Sequence, residues 1–267
     1  MTSNGIKGLP QAVSGKPMKI IHRVRRSLYR LSNLKHDRGR LEEARKEFPF
    51  IENPFVSVRI ATYQNSDILI NRTIPSVLGQ TYQHFEIVVI GDECSPEHSA
   101  RIESWMRSRG DPRIRFVNLE KRGCYPVKPA HRWQVAGTKP ANVGIELAKG
   151  DWIAPLDDDD EFTADHIEAL LRFARAGDLE FVYGITRYET PDGGWTEIGK
   201  EPIQCGQICH LSVMYHRRLS FFRYDIRAWR YGEPGDWNMW RRMKEAGARI
   251  GFLPKVVGIH YLNRERK

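Results

Sequence analysis

The stretch Gly150-Asp151-Trp152-Ile153-Ala154-Pro155-Leu156-Asp157-Asp158-Asp159-Asp160-Glu161-Phe162 decides the fold. Its short apolar run predicts a buried strand, and that strand ends in four consecutive aspartates and a glutamate. Carboxylates packed this closely repel and raise one another's pKa. A divalent cation with a preference for hard oxygen ligands removes that cost, so metal binding is one reading. Strand alternation puts Asp157 and Asp159 on the same side if the strand persists that far. The other reading is a solvated acidic turn that caps the following helix, with Thr163 as its N-cap.

Outward from this strand, the pattern alternates strand and helix. Strands are predicted at 55–61, 85–90 and 113–119, and helices at 67–78, 96–109, 140–148 and 163–176, the first of these interrupted by Pro75. Such alternation means βαβ units and a largely parallel sheet with right-handed crossovers. Beyond Phe181 the pattern changes. A hairpin is expected around Pro191-Asp192-Gly193-Gly194, a short strand at Met214, a helix at 236–246 and a last strand at 249–259. These later strands should be antiparallel additions covering one end of the sheet. The fold class is therefore α/β: a mixed, mainly parallel sheet flanked by helices, with an N-terminal helical arm.

Charge divides the 267-residue chain in two. Residues 1–50 hold twelve Lys/Arg against four Asp/Glu, a net of +8, whereas the rest carries only +1. The basic character belongs to an arm (1–50) and not to the body (51–267), which argues against nucleic acid as a partner. Residues 1–17 lack periodicity. From Met18 an apolar stripe, Ile21, Val24, Leu28 and Leu31, runs among arginines, and a second helical piece covers Arg40 to Glu47. The stripe suits either an anionic membrane surface or packing on the body. No run reaches the length of a membrane span and no signal peptide opens the chain, so the expected location is cytoplasmic or peripheral at the inner membrane face. Cys94, Cys124, Cys205 and Cys209 do not form paired zinc knuckles and read as free thiols.

In an open parallel sheet, ligands sit beyond the carboxyl ends of the strands. Here those ends carry Thr62-Tyr63-Gln64, Gly91-Asp92-Glu93 and Asp157 to Asp160. Gly91 would let a ligand approach the backbone, and Asp92 is either a ligand acceptor or an ordinary turn residue.

These residues match a known pattern. Val56 to Gln64 resembles the first strand and T-Y-N ending of the family-2 glycosyltransferases with the GT-A fold. Ser76-Val77-Leu78-Gly79-Gln80-Thr81-Tyr82 with Phe85 to Val89 is similar to that family's S-V-L-x-Q-T-Y-x-x-x-E-I-I-V run, and Gly91 to Ser95 to its G-D-G turn. Ala141 to Ile145, Ala148 to Ile153 and Leu156 to Asp160 resemble R-N-x-G-I, A-x-G-x-Y-I and L-D-x-D-D, and Gly235 to Arg242 resembles E-D-Y-D-L-W-L-R. The likeness runs from Pro54 to about Tyr261.

The resemblance implies an inverting glycosyltransferase. It would move a sugar from a nucleoside-diphosphate sugar to the hydroxyl of a glycan, lipid-linked or other acceptor, with Mn2+ or Mg2+ as cofactor. Asp92 would hold the base, and Asp157 the ribose or sugar. Ala61, Thr62, Tyr63, Asn142 and Asp158 would belong to the same nucleotide-sugar site. Asp159 would ligate the metal, joined by His260 or leaving His260 as an edge-strand residue. Asp236 matches the base position. It is also placed to cap a helix, which would lower its pKa, and Glu233 is the alternative base. Ala141 stands where the family has arginine, so Lys121, Arg122, Arg132 or Lys139 would contact the pyrophosphate. Trp133, Trp195, Trp229 and Trp237 are candidates for sugar stacking, and Trp240 for the core. Two other readings are a silent sugar-nucleotide-binding module and a nucleotidyltransferase. The latter usually carries a glycine-rich phosphate loop, and residues 61–66 contain no glycine.

Overall fold

The structure is a computed structural model and describes residues 16–262; along its first helix, side chains are described at 27, 28, 31 and from 34 onward. The expected irregular segment before residue 16 and the stripe positions Ile21 and Val24 lie outside the described residues and side chains.

Strand β1 (Val56–Thr62) is the axis of the sheet. It pairs in parallel with β2 (Phe85–Gly91) on one side and β4 (Trp152–Asp157) on the other. Strand β3 (Ile114–Asn118) extends the parallel set beyond β2. The order continues from β4 through β8 (Val213–His216), β6 (Phe181–Glu189) and β9 (Ile250–His260) to the two-residue β5 (Glu161–Phe162). Strand β8 is antiparallel to both β4 and β6, β9 is parallel to β6, and β7 (Trp195–Ile198) closes the expected hairpin on β6.

Register places the ligand edge. Thr62 lies opposite Gly91, Ala61 opposite Asp157, and Gly91 opposite Asn118, so the strands end on one line. Asp158 fastens that line. It is 7% exposed, and its Oδ2 accepts from Thr62 Oγ1 at 2.7 Å and from Tyr63 N at 3.2 Å. Gly91 is a glycine for a reason other than ligand approach. A Cβ there would stand 2.4 Å from Asn118 Oδ1, and Asn118 itself holds the following turn through Cys94 N at 2.9 Å.

Both sheet faces are covered, as a parallel sheet requires. Val56, Val58 and Ile60 point into one core with Ile87, Ile102 and Leu170. Ser57 and Arg59 alternate onto the other face. There α6 (Thr138–Leu147) and α8 (Gly235–Ala246) bury Ile145, Met239 and Trp240 in a second core. The helix after β1 is broken into α2 (Ser66–Ile68) and α3 (Ile74–Leu78) by a π turn over Leu69–Thr73. Pro75 has no N–H to donate and crowds the carbonyl four residues back, which loosens the turn there. Helix α4 (Pro96–Arg109) crosses to β3, and the loop expected over 120–139 holds the short α5 (Pro129–Val135). Helix α7 (His166–Ala176) begins three residues later than expected. Thr163 is not its cap: the N-cap position falls to Asp165, and the Thr163 N–H donates to Val257 O of β9 at 3.1 Å.

Helix α1 (Lys16–Glu47) runs unbroken through both of the expected helical pieces. Its final turns pack on the body: Leu41 is fully buried, and Asp37 receives Arg242 Nε and Nη2 at 3.1 Å each. Arg45 donates from Nε at 2.8 Å and Nη2 at 2.7 Å to the two oxygens of Glu180, a carboxylate with no exposed surface. Burial alone would raise Glu180, but Arg45 and Arg249 hold it below the usual range. Leu28 and Leu31, by contrast, are 61% and 66% exposed.

Two predictions follow from this packing. Deleting residues 1–34 leaves thermal stability unchanged, whereas deleting 1–47 strips the buried Glu180 carboxylate of its two-point Arg45 partner and costs about 3–5 kcal/mol in a urea titration. Equal midpoints for the two truncations would show that the Arg45–Glu180 pair contributes nothing. The second concerns His166, which is fully buried, donates from Nδ1 to Val257 O at 2.7 Å and stacks on Phe162. Burial pushes its pKa down to about 4. The unfolded chain binds a proton near pH 6.5 that the native state refuses, so this contribution is complete above pH 6.5 and is lost as pH falls toward 4. Between pH 7 and 5 the wild type therefore loses about 2 kcal/mol more than His166→Asn. Parallel losses in the two proteins would contradict it.

Candidate active site

A cavity of about 540 Å³ opens at the carboxyl ends of the strands. Ala61 of β1, Asp157 at the end of β4, Asp160, His210, Asp236 and His260 stand around it.

Asp157 keeps 45% of its side chain exposed, and its Oδ1 lies 3.0 Å from His210 Nδ1. Burial works to raise this carboxyl, but His210 and the Arg59 guanidinium beside it outweigh burial and hold it at about 2. Asp236 stands in the first turn of α8. The helix begins at Gly235 after Pro234, so Asp236 is not its N-cap; its Oδ1 accepts from Trp237 N at 2.6 Å. The expected lowering by the helix terminus loses to burial, which leaves the Asp236 carboxyl above its usual value despite His210 and the Trp237 N–H. Two carboxyls of one cavity are thus driven in opposite directions.

Asp160 is fully buried. Its Oδ1 lies 2.8 Å from His260 Nδ1, and its Oδ2 has no hydrogen-bonding partner. Burial raises Asp160 to about 7 against the pull of His260, with the charges of Asp157 and Asp159 adding to the rise. The same pairing raises His260 against burial. Tyr188 stacks on the His260 ring at 4.4 Å. Among the described residues, no group of three or more His, Cys, Asp or Glu is drawn together to hold a metal. The orphaned Asp160 oxygen, the neighbouring Asp159 and His260 are still carboxylate and imidazole donors of the kind that suit Mn2+ or Mg2+.

Other expected site residues lie outside the cavity wall. Asp92 is 2% exposed and turned toward the 119–125 loop, with Gly123 N at 3.1 Å from Oδ1 and Arg122 Nε at 3.4 Å from Oδ2. Arg122 also lies 3.5 Å over the ring of Tyr63. Thr62 is bound to Asp158, so both side chains serve the strand ends. Asn142 clamps the main chain of Tyr224, donating to its O at 3.0 Å and accepting from its N at 2.9 Å. The Asp159 main-chain oxygen accepts from Arg72 at 3.3 Å. Glu233, the alternative base, is 1% exposed and faces Arg241, whose Nε and Nη2 lie 3.0 and 2.9 Å from its oxygens; Asn238 donates to it at 2.7 Å. This carboxylate is held in a buried ion pair.

Sequence reading passed over His210, Arg59 and Tyr224. A charged residue inside a strand expected to be buried was the available signal for Arg59. All four cysteines are free thiols. Trp240 is fully buried in the core, as expected, while Trp133 stands 77% exposed at the cavity rim and Trp237 lines the wall. Trp229 stacks on His131 instead, with ring centroids 4.5 Å apart.

Comparison with known proteins places this geometry. Residues 137–243 match the family model for glycosyl transferase family 2. Chondroitin synthase of Pasteurella multocida (strain Pm70) is 26% identical over 210 residues, 73% of this chain and 19% of that protein. The first curated relatives it matches are much longer, and the chain spans 19% to 37% of their lengths. Among solved structures, Staphylococcus aureus TarS 1–349 in complex with UDP-GlcNAc aligns with a TM-score of 0.60 at 18% identity, covering 78% of this chain and 59% of that one. The mannosyltransferase PcManGT of Pyrobaculum calidifontis, in complex with GDP-Man and Mn2+, aligns with a TM-score of 0.58 at 14% identity, covering 92% and 69%. At those identities the structural likeness is one of fold. Family model, relatives and sheet topology agree: residues 137–243 carry the likeness to glycosyl transferase family 2, and the fold of the chain is the GT-A fold of these solved glycosyltransferases.

Proposed function

We propose that the chain transfers a sugar from a nucleoside-diphosphate sugar to an acceptor hydroxyl, with inversion at the anomeric carbon. The observation that carries this reading is the opposed pair in one cavity: Asp157 held ionised and Asp236 raised. Titratable groups driven apart by their surroundings mark distinct chemical roles.

Asp157 binds a ribose or sugar hydroxyl of the donor. Asp236 takes the acceptor proton as that oxygen attacks the anomeric carbon, and the bond from that carbon to the diphosphate breaks. A raised carboxyl is the better base for this task, because its basicity lies closer to the working pH. Asp236 rather than Glu233 fills the role, since Glu233 is committed to Arg241. Asp159, Asp160 and His260 would hold Mn2+ or Mg2+, which when bound neutralises charge on the departing diphosphate. Asp92 receives the base once Arg122 gives way from above Tyr63. Trp133, exposed on the rim, offers an aromatic face to the acceptor sugar. The nucleotide-sugar ligands named in the TarS and PcManGT structures support this donor class.

The arm supplies a second contact, with an anionic membrane surface. Leu28 and Leu31 are exposed on α1 within the basic sequence of residues 16–35, and no described helix is long and apolar enough to cross a membrane. This placement fits a cytoplasmic protein resting on the inner face.

Asp236→Asn should lower transfer at least a thousandfold with UDP-, GDP- or dTDP-sugar donors, while leaving the affinity for the nucleoside diphosphate with Mn2+ unchanged; full activity would remove Asp236 as the base. In vesicle flotation with phosphatidylserine-containing liposomes, Leu28→Glu with Leu31→Glu should release the chain. Undiminished flotation would discard the membrane contact.

A further inference from the structure

Arg59 is an anomaly within the fold. It sits in the middle of the axial strand β1, is 1% exposed, and lies under α6, where a Cβ on Gly144 would stand 3.2 Å from its Cδ. Among the described residues no carboxylate pairs with it directly, and its buried Nε has no partner. A desolvated cation of this kind is costly unless negative charge lies close by.

Its Nη2 contacts two groups: His210 Nε2 at 2.6 Å and the Tyr224 hydroxyl. A guanidinium only donates, so His210 Nε2 accepts and the ring hydrogen sits on Nδ1. That Nδ1 lies 3.0 Å from Asp157 Oδ1, in polar contact but off the line of a hydrogen bond. The ring has little freedom. Trp240, fully buried, stacks on it with centroids 6.3 Å apart and planes at 24°, and the Tyr224 hydroxyl lies 3.0 Å from Nε2. Tyr224 is fixed in turn by the double main-chain clamp of Asn142.

We propose that Arg59, His210 and Tyr224 form a buried positioning unit for Asp157, with His210 as its point of contact. This rests on the donor-site reading of Asp157 given above. Asp157 stands half in the open cavity, where a free carboxylate would rotate between rotamers. Holding Oδ1 against His210 keeps the carboxylate in one rotamer with Oδ2 free for the ligand, and sets a negative charge close to the buried Arg59. Asn142 then contributes to the site through Tyr224, without touching the donor.

The test is calorimetric titration of the full chain with UDP, GDP and dTDP in the presence of Mn2+, using the tightest of the three as the probe. His210→Ala should weaken binding tenfold or more. His210→Asn, which keeps an N–H near the position of Nδ1, should recover to within about threefold of wild type. Tyr224→Phe should fall between the two, and in an Asp157→Ala background His210→Ala should add no further loss. Wild-type affinity in His210→Ala, an equal loss in His210→Asn, or an undiminished effect in the Asp157→Ala background would each overturn the positioning role. If His210→Ala does not fold, Tyr224→Phe carries the same cycle against Asp157→Ala. The donor-site reading fails separately: Asp157→Ala binding as tightly as wild type, or a wild type that binds none of the three nucleotides, sinks that reading and the positioning unit with it.

Discussion

The shared register of β2, β1 and β4 is the constraint on which the site depends. Because Thr62 faces Gly91 and Ala61 faces Asp157, three chain segments distant in sequence deliver their polar ends to one edge. A slip of one residue would turn every side chain of a strand to the opposite face. Asp158 guards against it by binding Thr62 and Tyr63 across the β4–β1 boundary. One member of the aspartate run thus bridges two strand ends, while Asp157 and Asp160 line the cavity.

Buried charge is handled in three ways. Glu180 is saturated: Arg45, Arg218 and Arg249 converge on it and tie the root of α1 to the body. Glu233 is saturated likewise by Arg241 and Asn238, which fixes the approach to α8 just before Asp236. Asp160 is left with one oxygen unserved, and Arg59 with one nitrogen unserved. Both incomplete groups belong to the lining of the same cavity. Polar groups that fold stability alone would not leave in this condition are the mark of a site.

Much of this was legible in the sequence. The parallel strands, the β6–β7 hairpin and the acidic end of β4 all followed from hydrophobic runs and turn residues; the spatial order of the strands did not. The roles of individual acidic residues did not. Asp158, Asp159 and Asp160 are consecutive and chemically identical, and only their directions in space separate a strand fastener from a buried acid facing His260. Glu233 and Asp236 stand three residues apart, and the partner that engages Glu233 is Arg241, invisible until α8 is formed. Asn142 fitted a motif position and proved to hold a distant main chain. His210 lies in an irregular stretch before β8 with no periodicity to flag it. Asp236 shows competing effects weighed wrongly: helix start and burial act in opposite directions, and the depth of the cavity, which no pattern encodes, decides between them.

The central claim is that the acidic end of β4 receives a diphosphate through a divalent cation. Crystals grown with Mn2+ and the best-binding nucleoside diphosphate, measured at the manganese absorption edge, test it most directly. The account predicts an anomalous peak within coordination distance of Asp159, between the protein and the diphosphate oxygens. A nucleotide bound at the strand ends with no manganese peak at the aspartates, or a peak elsewhere on the surface, would contradict it.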